Sequence, residues 1–268
     1  GPDSVVAQWL RPPFAIDGWR IDVANMTGRL GAEDLNAEVR RTLRRTMIDV
    51  EPETLLLAES TNDAASDLQG DAWHGGMTYP AFTRGVWSWL ADPRRVPHRG
   101  FDGSVSDDMW FFGLPTGMPR YTAAQFVAQW ERFTSQIPWR VQRGTMTALD
   151  THDTARFATL ANYRGRSSGL GPSIPGNQRD GVAQAHTDPN AYARHRLGMA
   201  WVLTIPGAPL VYYGDEYGEW GGADPNNRRM WRDPAALSAD ESATLAHIRA
   251  LGTARRELVA LRRGSYVS

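Results

Sequence analysis

Apolar and polar positions divide the chain into short apolar runs and longer stretches in which apolar residues recur every three or four positions. The short runs predict strands at 18–23, 54–58, 73–77, 145–149 and 208–213. The periodic stretches predict helices at 35–48, 79–90, 122–135, 191–204 and 239–258. Strands that alternate with helices in this way indicate parallel βαβ units, which build both doubly wound sheets and (β/α)8 barrels.

Two stretches without periodicity connect these predicted elements. Residues 91–119 are rich in Pro and Gly, and residues 161–190 contain Gly, Pro, Ser and Asn. A loop as long as the second is usually functional or mobile within a compact domain. No internal repeat and no domain boundary stand out, so the sequence predicts one domain over residues 1–268.

Acidic residues follow three of the predicted strands. Asp22 closes the first strand two residues after Arg20, so both side chains point to one face, where a guanidinium favours the ionised carboxylate. Glu59 follows the second strand, and His152 with Asp153 follows the fourth. Taken singly, each is as often, or more often, a solvated, capping or structural residue. Acids at several strand ends, with no Gly-rich phosphate loop after the first strand, favour a barrel over a doubly wound sheet.

Four segments, in order along the chain, resemble a known family. Asp17-Gly-Trp-Arg-Ile-Asp-Val-Ala-Asn25, Leu57-Ala-Glu-Ser60 and Leu149-Asp-Thr-His-Asp-Thr154 resemble signatures of the alpha-amylase family, glycoside hydrolase family 13. Pro206-Gly-Ala-Pro-Leu-Val-Tyr-Tyr-Gly-Asp-Glu216 with Gly221-Gly-Ala-Asp-Pro-Asn-Asn-Arg-Arg229 resembles the last strand and following loop of its neopullulanase and cyclomaltodextrinase branch.

The resemblance also implies which part of the fold is present. The five predicted strands would be the fourth to eighth of a (β/α)8 TIM barrel, so the chain is expected to be a catalytic barrel truncated on its amino-terminal side. A partial barrel exposes strand edges and apolar surface. We therefore expect the missing barrel half, or a homo-oligomer partner, to cover that surface.

The resemblance implies a retaining glycoside hydrolase that acts on α-glucosidic bonds of maltodextrins and starch-like α-glucans. Asp22 would be the nucleophile and Glu59 the acid, in a setting where the neighbouring apolar run disfavours the charged form. Asp153 would bind sugar hydroxyls and stabilise the oxocarbenium-like state, and His152 would donate to a hydroxyl. An α-glucan transglycosylase using the same acids, and a non-catalytic glucan-binding or scaffold fragment, are the alternatives.

Residues farther from the reacting bond have competing interpretations. Asp224 and Arg228 match family positions that grip a more distant glucose unit, and a surface ion pair is the alternative. Asp215 and Glu216 are expected to anchor their loop, and His74 to be a buried, satisfied histidine. Trp87 and Trp89 are expected to pack in the core. Arg40-Arg41 and Arg44-Arg45 are expected on a solvated helix face. The first predicted helix has apolar residues at helical spacing: Leu35, Val39, Leu43 and Met47.

Composition mainly excludes classes of partner. With 41% hydrophobic and 22% charged residues the chain is an ordinary globular one, and a net charge of −1 offers no basic field for nucleic acid. No apolar run reaches the roughly 18 residues of a membrane span, and no signal peptide opens the chain, which favours a cytoplasmic location unless a signal lies upstream.

Neither cysteine chemistry nor a metal site is predicted. The chain has no cysteine, and no ligands cluster at Ca²⁺ or Zn²⁺ spacing, so we predict no cofactor. All 29 basic residues are arginine, which is typical of the coding bias of a GC-rich bacterium.

Overall fold

The computed structural model describes residues 1–61, 63–91, 98–99, 105–106, 120–162, 188, 190–222 and 225–267. Its α-helices are α1 (Val5–Trp9), α2 (Asn36–Ile48), α3 (Thr83–Val86), α4 (Ala123–Thr134), α5 (Trp139–Gly144), α6 (Phe157–Asn162), α7 (Ala191–Thr204), α8 (Ala239–Glu257) and α9 (Val259–Arg263). Its strands are β1 (Gly18–Ile21), β2 (Arg29–Leu30), β3 (Glu33–Asp34), β4 (Leu55–Ser60), β5 (Gly75–Thr78), β6 (His98–Arg99), β7 (Val105–Ser106), β8 (Met146–Thr147) and β9 (Ala208–Pro209). A π-helical turn follows α3 at Trp87–Ala91, and 3-10 turns lie at Asp215–Tyr217 and Pro234–Ala236.

The chain forms two compact units, one from Gly1–Ala81 with Glu131–Thr147, the other from Phe82–Trp130 with Ala148–Ser268. In the first unit β1, β4, β5 and β8 are neighbours in that order, and each neighbouring pair is parallel. Parallel neighbours bring their carboxyl ends to one edge, where the residues after β1 and β4 meet. The expectation of a single domain over 1–268 stays a prediction.

Two glycines allow close backbone approach in this sheet. A side chain at Gly18 would clash with the backbone of Leu55 on β4, and one at Gly75 would clash with the backbone of Gly144. Because glycine lacks a Cβ, the backbones can meet at these positions. We therefore expect alanine at either position to displace a strand.

The core of the first unit lies between the sheet and its helices. It contains Leu10, Ala24, Met47, Leu56, Ala58, Ala64, Leu68, Trp73 and Val141. Met47 and Leu43 face this core from α2 as predicted, whereas Leu35 caps the helix and is exposed. The apolar face of α2 thus begins at Leu43, whereas the inward positions before it are the buried polar residues Asn36 and Arg40.

Aromatic side chains dominate the core of the second unit. Phe126 stacks on Trp89 with ring centroids 5.5 Å apart and meets Phe82 and Trp201 edge-on at 5.8 and 5.2 Å. Trp87 is buried and donates its indole N–H to the carbonyl of Leu149 at 2.7 Å. The expectation that Trp87 and Trp89 pack in the core is confirmed.

Several element boundaries differ from the predictions. The helix expected from residue 79 begins at Thr83, and Pro80 disfavours helical backbone at the residue before it. The strand expected at 208–213 ends at Pro209, which has no N–H for a ladder, and the strand at 145–149 keeps two residues. Helices α5 and α6 were not predicted. Most of the two predicted connections lies outside the described residues.

His74 is half-buried, and its Nδ1 accepts the backbone N–H of Leu56 at 2.9 Å. Burial, and then the charge of Arg44, lower the pKa of this histidine. This agrees with the expected satisfied histidine.

Stability is therefore expected to fall as the pH drops below about 6.5, because the unfolded chain then binds a proton that folded His74 resists. His74→Asn keeps an acceptor for the Leu56 N–H without titrating, so its melting temperature should decline less between pH 7 and pH 5. Equal declines for the two proteins would contradict this reading of His74.

In the described part of the chain, no helix combines the length and apolar character needed to cross a membrane.

Candidate active site

Arg20 joins the two acids predicted to react. Its Nη1 lies 2.6 Å from Asp22 Oδ1, and its Nη2 lies 2.9 Å from Glu59 Oε1. The two carboxylates are thus held by the two ends of one planar guanidinium, a group that stays charged. The structure brings Arg20, Asp22 and Glu59 together, as the sequence predicted.

The sheet explains this meeting. Ile21 of β1 pairs with Ala58 of β4, so Asp22 and Glu59 follow paired residues at the same edge. The Ala24 N–H donates to the backbone carbonyl of Glu59 at 3.0 Å and extends the contact beyond the strand. The register therefore places the two acids side by side.

The two acids differ in exposure. The Asp22 side chain is 76% exposed, whereas the Glu59 side chain is 4% exposed. The Val23 N–H donates to Glu59 Oε2 at 2.7 Å, so each oxygen of this carboxylate has a positive or N–H partner. The surroundings of Glu59 are thus less apolar than expected. Burial favours the neutral carboxyl, whereas the Arg20 guanidinium and the Val23 N–H favour the ionised one.

The backbone of Val23 is strained. Its φ of 43° lies in the left-handed region, which a β-branched residue rarely adopts. Such a conformation costs on the order of 1–3 kcal/mol and persists only where its surroundings enforce it. Here it accompanies the hydrogen bond from the Val23 N–H to Glu59.

The loop after Asp22 is anchored by buried polar groups. The Asn36 amide donates to the carbonyls of Ala24 and Thr27 at 2.8 and 2.7 Å. Arg40 donates to Asn36 Oδ1 at 2.9 Å and pairs with Asp67 at 2.9 Å. Arg40 is therefore buried, and the expectation of a solvated face is wrong for it. Asn36 and Arg40 lie one helical turn apart, a spacing that could have indicated a shared inward face.

The second unit carries His152, Asp153 and Arg228. His152 Nε2 lies 3.4 Å from Asp153 Oδ2, and Arg228 Nη2 lies 3.7 Å from Asp153 Oδ1. The Nε of Arg228 donates to the carbonyl of His152 at 3.1 Å. Arg228 thus contacts the predicted His152–Asp153 pair, while Asp224 lies outside the described residues.

A buried charge cluster lies next to this pair and was not predicted. Arg156 Nη1 is 3.3 Å from Asp215 Oδ1 and 3.8 Å from Asp150 Oδ1, and all three side chains are fully buried. The Arg156 guanidinium also lies over the Tyr212 ring, 3.9 Å from its centroid. No local pattern marks the cluster, because Asp215 lies 59 positions from Arg156 in sequence.

The two carboxyls of this cluster influence each other's protonation. Burial, and then the charge of Asp150, raise the pKa of Asp215 well above its usual range, and burial also raises the pKa of Asp150. Asp150 Oδ1 and Asp215 Oδ2 have no hydrogen-bond partner among the described residues. The cluster thus places two buried carboxyls against one guanidinium.

The neighbouring Glu216 has an anchoring role. Its Oε2 accepts the Gly214 N–H at 2.7 Å, and its Oε1 accepts the Trp231 indole N–H at 3.1 Å. The expectation that Asp215 and Glu216 anchor their loop is confirmed. Within the described ranges, no group of three or more His, Asp or Glu side chains is arranged to hold a metal ion.

Comparison with known proteins identifies sequence relatives of this chain. No protein-family model matches the chain. It is similar to an amylopullulanase of Thermoanaerobacter thermohydrosulfuricus, with 32% identity over 86% of this chain and 13% of the relative. It is also similar to a cyclomaltodextrinase of Geobacillus thermopakistaniensis, with 28% identity over 97% of this chain and 33% of the relative. The chain therefore spans a third or less of these curated relatives.

Solved structures agree with the sequence relatives. The debranching enzyme of Nostoc punctiforme matches with a TM-score of 0.68 and 27% identity, over 97% of this chain and 43% of that one. The predicted fold class, a partial (β/α)8 barrel, is confirmed by such neighbours and by the parallel strands. These relatives and solved structures support the resemblance of the chain to the neopullulanase-like group of the alpha-amylase family.

Proposed function

We propose that the chain carries the reacting acids of a retaining glycoside hydrolase that cleaves α-glucosidic bonds of maltodextrins and related α-glucans. The observation that carries this proposal is the single guanidinium of Arg20, which holds exposed Asp22 and buried Glu59 at once. Retaining hydrolysis needs two neighbouring carboxyl groups with different tasks. An ordinary surface ion pair would not require the buried second acid.

Asp22 is the nucleophile in this proposal. Its exposed carboxylate attacks the anomeric carbon, forms a glycosyl ester and breaks the bond to the leaving oxygen. Arg20 fixes the direction of the carboxylate, because a charged hydrogen bond holds Oδ1 at 2.6 Å.

Glu59 is the acid and then the base. It gives its proton to the leaving oxygen in the first step and takes one from water in the second, while water releases the sugar from Asp22. Such a group must reach both protonation states. The opposed influences on Glu59, burial on one side and Arg20 with the Val23 N–H on the other, suit that need.

Asp153, His152 and Arg228 are assigned to sugar binding. Asp153 would accept hydrogen bonds from hydroxyls, and its charge would stabilise the developing positive charge on the sugar ring. His152 is 44% exposed and would donate to a hydroxyl. Arg228 contacts both residues and would hold them in place. For Asp224 the outer-subsite role stays a prediction.

The test is reducing-sugar release from maltotriose, pullulan and cyclodextrin, the last two being the substrates that the relatives' names indicate. It is made with the 268-residue chain and with a version extended upstream of Gly1. Hydrolysis by either protein, with products that begin as the α-anomer, is expected. If both proteins fold and neither releases sugar, the proposal fails and a binding or scaffold role replaces it.

Replacing Glu59 with Gln is expected to lower kcat on maltotriose by about 10²–10⁴-fold, because the leaving oxygen loses its proton donor. Fluoride leaves without protonation, so fluoride release from α-maltosyl fluoride should fall far less. Exposed Glu53, on the approach to β4, gives the matched control Glu53→Gln, which should leave both rates unchanged. Equal losses on the two substrates would argue against an acid role for Glu59.

A further inference from the structure

The turn that carries His152 and Asp153 directs several carbonyls to one point. The carbonyl oxygens of Thr151, His152 and Thr154 lie 3.4, 2.8 and 2.7 Å from Nδ2 of Asn227. Asn227 is fully buried and distant in sequence from the turn. One side-chain amide therefore gathers three carbonyls around Asp153.

The surroundings decide which way this amide faces. Three carbonyl oxygens can only accept hydrogen bonds, so the atom they surround must be the donating nitrogen. The opposite atom, Asn227 Oδ1, is buried and has no hydrogen-bond partner among the described residues. The side chain thus leaves its own acceptor unsatisfied in order to donate to the turn.

Hydrogen bonds from Arg156 fix the backbone of Asn227 and of the segment before it. Arg156 donates from Nε to the Asn227 carbonyl at 2.8 Å, and the Arg156 N–H donates to the Gly221 carbonyl at 3.0 Å. The Phe157 N–H donates to Asp150 Oδ2 at 2.6 Å, which anchors the other end of the same segment. The amide therefore sits on a fixed support, as a residue that orients a functional group requires.

From this arrangement we infer that Asn227 is a positioning residue, which holds the His152–Asp153 turn so that Asp153 presents one orientation to a bound sugar. This inference rests on the proposed function for the role of Asp153. Within the turn itself, the Asp153 N–H donates to the Thr151 hydroxyl at 3.2 Å, and the Thr154 N–H donates to the Thr151 carbonyl. Those local bonds close the turn, and the Asn227 amide ties it to the 219–229 segment.

The test replaces Asn227 with Asp, a change of similar shape that puts an oxygen where the donor was. Asn226→Asp is the matched control, because the Asn226 side chain already acts through its oxygen, accepting the Gly222 N–H at 2.6 Å. Both variants add one carboxyl to the same segment. Only Asn227→Asp removes a donor from the turn.

Two readouts are measured. Amide hydrogen exchange of Asp153 and Thr154 in the 268-residue chain should accelerate at least about tenfold in Asn227→Asp and stay near wild type in Asn226→Asp. In whichever version of the protein hydrolyses maltotriose, Asn227→Asp should lower kcat by about a hundredfold with a smaller change in KM, since misplaced groups cost rate. A purely structural role would not lower kcat in protein that remains folded.

The outcomes separate the two proposals. Equal exchange in Asn227→Asp and Asn226→Asp would overturn the positioning role. Faster exchange with unchanged kcat would overturn it as well, because the orientation of the turn would then not matter to the reaction. If wild-type protein releases no sugar, the proposed function fails, and the exchange result alone decides whether Asn227 holds the turn.

A second variant covers the case in which buried Asp prevents folding. Asn227→Ser is uncharged and retains one donor in place of the amide. Its amide exchange rates at Asp153 and Thr154, and its kcat, should therefore lie between those of wild type and those expected for Asn227→Asp. Wild-type exchange in Asn227→Ser would contradict the inference.

Discussion

Replacing Asp22 with Asn is expected to abolish hydrolysis, lowering kcat by at least about a thousandfold. The amide cannot form the glycosyl ester, so the first covalent step has no nucleophile. Maltotriose binding should weaken little, because Asn has nearly the size of Asp and Arg20 retains Glu59 as its partner. The rate is measured by reducing-sugar release and the binding by calorimetry.

Asp17 provides the matched control for this change. It is an exposed acid immediately before β1, so Asp17→Asn removes the same charge from the same segment and should leave kcat unchanged. Near wild-type turnover by Asp22→Asn would refute the nucleophile assignment. Equal losses in both variants would point to a general effect of charge.

Replacing Arg156 with Met is expected to destabilise the protein by about 3–5 kcal/mol, the cost of breaking a buried ion pair. The change leaves the fully buried Asp150 and Asp215 without their counter-charge. It also removes the donor to the Asn227 carbonyl and the cation over the Tyr212 ring. Chemical denaturation monitored by circular dichroism measures the free energy of unfolding.

Arg256→Met is the control, because Arg256 lies exposed on α8 in the same unit. Surface changes of this kind usually stay within about 0.5 kcal/mol. A loss for Arg156→Met no larger than that of the control would show that the buried cluster contributes little. The description of Arg156 as the counter-charge of two carboxyls would then be wrong.

The first unit's pair of acids could be predicted because its signals are local. A short apolar run that ends in an acid predicts both the strand and the strand end, and parallel pairing then places Asp22 beside Glu59. Helix α7 was predicted to the residue, since its apolar positions are continuous and a loop precedes it. Such features need no knowledge of distant residues.

The buried polar groups could not be predicted, because their partners come from distant segments. Arg40 carries the same charge as exposed Arg41, and only Asp67 and Asn36 reveal that it faces inward. Asn227 lies among polar loop residues, and its role depends on carbonyls more than seventy positions away. Every residue has a backbone carbonyl, so no sequence pattern could have indicated the hydrogen bonds from the Asn227 amide to this turn.

The central claim is that Asp22 forms a covalent bond with the sugar, and trapping that bond tests it most directly. Glu59→Gln is incubated with α-maltosyl fluoride, whose fluoride leaves without an acid, while the missing base slows the release of the sugar by water. Digestion and mass spectrometry should then find one maltosyl group on Asp22. Fluoride release with the group on another residue, or with no adduct at all, would contradict the account.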